Sequence, residues 1–72
     1  MTPREAANKV RKGQGPKRIH RIDRPNRKGE QWHAHLGSGE GSPAINKDGT
    51  WKHPNGITNQ QKEFLREAGW MV

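Results

Sequence analysis

The 72-residue chain contains no cysteine and no tyrosine, and only one phenylalanine. Without cysteine there is no disulfide framework, no zinc-finger thiolate site and no thiol nucleophile. No apolar run approaches the ~20 residues of a membrane-spanning helix, and the N-terminus lacks an apolar signal-peptide core. The expectation is a soluble chain whose delivery signal, if it has one, lies on sequence beyond it. Apolar residues are also scarce, at 26%. Each large apolar side chain gives roughly 1.5–3 kcal/mol when buried, against about 1.5 kcal/mol of entropy for every ordered residue. A domain this small is marginal. Trp32, Trp51 and Trp70 have to form much of the core, leaving room for a ligand, metal or partner protein to supply the rest.

What is abundant is positive charge, +7 with pI ≈ 10.6, and it is uneven. Arg4 to Lys28 holds ten Lys/Arg against two acids, and Gly29 to Val72 holds four against five. A basic N-terminal half suits a polyanionic partner or an acidic protein. An ordinary basic surface is the plainer account.

Thr2-Pro3-Arg4-Glu5 reads as a helix start with a capping box, and Gly13 stops that helix. Residues 1–16 form this basic helix and a turn, prone to fraying, and 17–72 the compact core of a single domain. Lys17 to Arg24 reads as a strand, with a bulge expected because Ile19 and Ile22 have opposite parity. Gln31 to Leu36 is a second strand. Gly37 to Pro43 is a flexible connection with no Gly-Lys-Ser/Thr phosphate loop and no nucleophile elbow. Ala44 to His53 is a hairpin around Asn46-Lys47-Asp48-Gly49-Thr50, with Gly49 left-handed, Ile45 facing Trp51 and Ala44 facing Lys52. Thr58 and Gln61 form a second capping box, opening a helix to Ala68, and Trp70 folds back after Gly69. The fold class is α+β: a short N-terminal helix, a three-stranded antiparallel sheet and a C-terminal helix packed on it.

Three of the four histidines lie between Trp32 and His53. At period 2, His33 and His35 share one strand face, while Trp32, Ala34 and Leu36 share the other. Imidazole serves as base or acid near neutrality, and Lys and Arg stabilise a charged phosphorane. RNA cleavage needs those parts. The candidate catalytic residues are His33, His35 and His53, with Lys17, Arg18, His20, Arg21 and Lys52 on phosphate. No metal or other cofactor is expected. Two other accounts stay open. Strand-borne His-x-His also holds metals, with His53, Asp48 or Glu40 as a third ligand. Alternatively, the pair lies on a solvated face and only touches RNA phosphates.

The series Lys17–Asp23, His33–Leu36, Ala44–His53 and Phe64–Trp70 resembles the C-terminal toxin domains of bacterial polymorphic toxins, of the contact-dependent-inhibition and Rhs types. The resemblance spans Lys17 to Trp70, and its most specific parts are the Trp-Lys-His hairpin exit and the terminal Gly-Trp. It implies a small metal-independent endoribonuclease, with tRNA among its targets. It also implies action in the cytoplasm of the target cell after delivery from the producing bacterium, and neutralisation by an acidic cognate immunity protein. The element order is similar, too, to the double-stranded-RNA-binding fold of HicA-type messenger-RNA interferases. From a different class, the alternative is a non-catalytic basic nucleic-acid-binding or phage inhibitor protein.

Overall fold

A computed structural model describes residues 1–37, 42–52 and 56–72. Helix α1 spans Pro3–Arg11. Its start is set by Thr2, whose hydroxyl accepts from the Glu5 N–H at 3.1 Å while the Glu5 carboxylate accepts from the Thr2 N–H at 2.9 Å. Pro3 stands at the first helical position, where its missing N–H costs nothing. Ala6 is fully buried, and Ala7 and Val10 pack beside it.

Four short strands follow, β1 Arg21–Asp23, β2 His33–His35, β3 Ala44–Asn46 and β4 Trp51–Lys52. They pair antiparallel in the order of the chain. The sheet therefore has four strands and not the three expected, because Trp51–Lys52 pairs with β3 as a strand of its own. The expected register holds: Ile45 faces Trp51 and Ala44 faces Lys52. Gly49 has φ +91°, the left-handed conformation the turn requires, and its N–H donates to the Asn46 carbonyl at 2.9 Å.

The first strand is much shorter than the Lys17–Arg24 expected. Arg18 has φ +71°, so the chain turns where the strand was placed. Gln61 fixes that turn: its side-chain amide donates to the Lys17 carbonyl at 3.1 Å, and the residue is buried. Pairing resumes at His20, whose N–H donates to the His35 carbonyl at 2.8 Å.

Helix α2 spans Asn59–Glu67, capped by Thr58 and Gln61 as their spacing predicts. Beyond it the chain doubles back, and the Trp70 N–H donates to the Leu65 carbonyl at 2.9 Å. The buried Trp70 indole donates to the Ile45 carbonyl at 3.1 Å, joining the C-terminal segment to the central sheet. Ala6 of α1, Leu65 of α2, Ala68 and Trp70 share one core with Ile19, Ile22, Ala34 and Ile45. Trp32 and Trp51 are only half-buried and pack against its edge. Both helices thus serve one face of the sheet.

Candidate functional site

The other face follows from register. Residues directly opposite in an antiparallel sheet point to the same side, and Arg21 pairs with His35, Asp23 with His33, His33 with Asn46, and Ala44 with both His35 and Lys52. Arg21, Asp23, His33, His35, Ala44, Asn46 and Lys52 therefore share the face opposite Ile22, Ala34 and Ile45. The two imidazoles meet edge to face, with ring centroids 5.0 Å apart and planes at 73°.

Asp23 sits between them. Its Oδ2 lies 3.1 Å from His35 Nε2, 3.7 Å from His33 Nε2 and 3.0 Å from Arg21 Nε. Among the described residues only the arginine donates to it in good geometry. His35 Nε2 is within range but off the bonding direction, and this buried nitrogen has no hydrogen bond from any described residue. His33 is oriented from the opposite side: its Nδ1 lies 3.0 Å from the Gln31 carbonyl. A carbonyl only accepts, so Nδ1 carries a proton, and in the neutral ring the Nε2 lone pair is turned toward Asp23. Gln31 is itself held, its side-chain oxygen accepting from the Asp48 N–H at 2.8 Å.

Burial pushes the His35 imidazole below its ordinary range, and the Arg21 charge adds to this, while the Asp23 carboxylate opposes it. His35 is consequently held toward its neutral form.

The expected site residues divide into groups. His33, His35 and Arg21 come together on one face, and Lys52 shares that face two strands away from His35. His20 has the parity of Ile22 and lines, with Asn8, Arg11, Arg21 and Asp23, a cleft of about 440 Å³ between α1 and β1. Lys17 and Arg18 are exposed on the turn tied to α2 and not on a strand. His53 and Glu40 lie outside the described residues. Asp48, weighed as a metal ligand, uses its carboxylate on its own turn, accepting from the Thr50 N–H at 2.9 Å and the Thr50 hydroxyl at 2.6 Å.

Asp23 is the residue that sequence reasoning missed. It shares the parity of Arg21 in a basic segment, and only the β1–β2 register sets it against the histidines. With His33 and His35 it forms a group whose ligand atoms all lie within 4.8 Å of one another. Comparison of the chain with protein-family models, with curated proteins and with solved structures gave no match.

Proposed function

We propose that the chain is a small endoribonuclease that cleaves RNA by acid–base transesterification at the His33/His35 face. The single observation that supports this reading most is the placement of two partly buried imidazoles and a carboxylate on one sheet face beside Arg21, next to the cleft that Arg11, His20 and Arg21 line. His35, held neutral by burial, takes the 2′-hydroxyl proton. The 2′-oxygen then bonds to phosphorus while the bond to the 5′-oxygen breaks. Protonated His33, whose Nδ1–H is committed to Gln31, gives its Nε2 proton to the departing 5′-oxygen. The products are a 2′,3′-cyclic phosphate and a free 5′-hydroxyl, and no metal enters the step. Arg21 and Lys52 offset the charge that builds on the phosphorane. His53 remains the third imidazole of the proposed set.

A backbone path through the α1–β1 cleft would bring phosphates past Arg11, His20 and Arg21. Such a protein acts as a toxin in the cytoplasm of a target cell, and an acidic immunity protein that covers the basic side would silence it.

The test is incubation with total RNA in excess EDTA, with end-group mapping of the fragments. Discrete fragments ending in cyclic phosphate are expected. His35→Ala and His33→Ala should each slow cleavage by about 10²–10⁴-fold while leaving RNA affinity intact. Cleavage undiminished in both variants ends the acid–base reading. Intact RNA with retained binding would instead make the chain a non-catalytic binder.

A further inference from the structure

We propose that Asp23, His33 and His35 form a binding site for one divalent transition-metal ion of the zinc kind, with its remaining coordination position open to solvent. The argument starts from electron pairs. In its neutral form His33 turns an Nε2 lone pair toward the cluster because its Nδ1 proton is taken by the Gln31 carbonyl. His35 Nε2 is buried and has no hydrogen bond from the described residues. Both nitrogens face an oxygen of a carboxylate, at 3.7 Å and 3.1 Å. Two imidazole nitrogens and a carboxylate oxygen this close together make a ready set of donor atoms for a cation, beyond the charge that Arg21 already places on the exposed side.

The spacing suits a metal. Zinc binds imidazole nitrogen and carboxylate oxygen at about 2.0–2.2 Å, so two ligands on a tetrahedral ion lie about 3.3 Å apart. The two measured separations fall on either side of that value. The surroundings also match what metal ligands require: a ring N–H given to a backbone carbonyl, and a carboxylate steadied by a neighbour. Gln31 does the first for His33, and Arg21 Nε, 3.0 Å from Asp23 Oδ2, does the second.

Binding of the ion does not depend on ribonuclease activity. Its consequence does rest on the function proposed above: an ion here takes up the lone pairs that proton transfer needs, so it acts as a reversible inhibitor.

The test is a Zn²⁺ titration of the 72-residue chain a little above neutral pH in phosphate-free buffer. Imidazole ¹H–¹⁵N correlations identify the ligating nitrogens, and calorimetry gives the stoichiometry. One ion per chain is expected, with the Nε2 resonances of His33 and His35 moving and those of His20 unchanged. Asp23→Ala, checked for folding by circular dichroism, should weaken binding at least about tenfold. The inference is overturned by an absence of saturable binding, by shifts confined to His20 or His53, or by unchanged affinity in folded Asp23→Ala. A chain that binds Zn²⁺ here but never cuts RNA keeps the site and loses the proposed function. A chain that cuts RNA in EDTA yet leaves both rings unmoved by Zn²⁺ does the reverse.

Discussion

Asp23 lies diagonally from His35 across the β1–β2 pair, yet its Oδ2 is closer to that ring, at 3.1 Å, than to the directly opposite His33, at 3.7 Å. Twist between adjacent strands is what brings diagonal neighbours together on one face. The carboxylate therefore lies within 4 Å of both imidazoles from the last position of the three-residue strand.

Two opposed titration shifts follow. The Arg21 charge pushes the His35 imidazole down and the Asp23 carboxylate pulls it up. Arg21→Gln should raise the His35 pKa and Asp23→Asn should lower it, each read from the ring protons in an NMR pH titration. Shifts of the same sign in both variants would show that the pair does not set the ring's charge.

Acid stability has a defined window at the hairpin. Hydrogen bonds from the Thr50 hydroxyl, then from the Gln31 side chain and the Thr50 N–H, hold the Asp48 carboxyl down at about 2 from an ordinary 3.8. A lowered folded-state pKa gives stability that is full above 3.8 and is lost as the pH falls through about 2. His35 acts in the same direction at higher pH: its lowered pKa gives stability that is full above 6.5 and declines as the pH falls below it. Urea midpoints taken from neutral to acid pH should fall in both ranges, and Asp48→Asn should flatten only the lower one.

Gly49→Ala should destabilise the fold by at least about 1–2 kcal/mol, the cost of a left-handed backbone for a residue with a side chain. Gly49 has φ +91°, and a methyl group there would also collide with the Met71 carbonyl oxygen. Denaturant unfolding measures this directly. A neutral result would mean that the C-terminal segment is not seated on the turn.

Trp70→Ala should cost about 3–5 kcal/mol, enough to unfold a domain with so small a core. Trp70→Phe keeps most of the packing and leaves the Ile45 carbonyl without its indole donor, at a cost of about 1–3 kcal/mol. Far-ultraviolet circular dichroism separates the two variants. Trp70→Phe as stable as the unsubstituted chain would remove the indole hydrogen bond from the account.

Much of the frame was legible in the chain because local chemistry dictated it. Thr2 with Glu5, Thr58 with Gln61, and Gly49 in its turn each have one low-energy arrangement, and each took it. The alternation around His33 and His35 likewise gave the correct faces. What could not be read was set by contacts distant in sequence. Gln61 captures the Lys17 carbonyl 44 residues away and turns the chain before β1, so the long basic strand contracts to three residues. Asp23 looked like a minor acid among arginines, since the ten-residue separation from His33 contains no turn signature that would fix a register. The candidate site was half visible for that reason: the imidazoles declared themselves by spacing, and the carboxylate did not.

The indole that closes the core belongs to residue 70, while the sheet it seals ends at Lys52 and begins at Arg21. During synthesis the strands bearing the histidines emerge well before the side chain that locks them in place. A nascent chain that stops short of Trp70 therefore lacks the indole that ties the C-terminal segment to the central sheet beneath the two imidazoles.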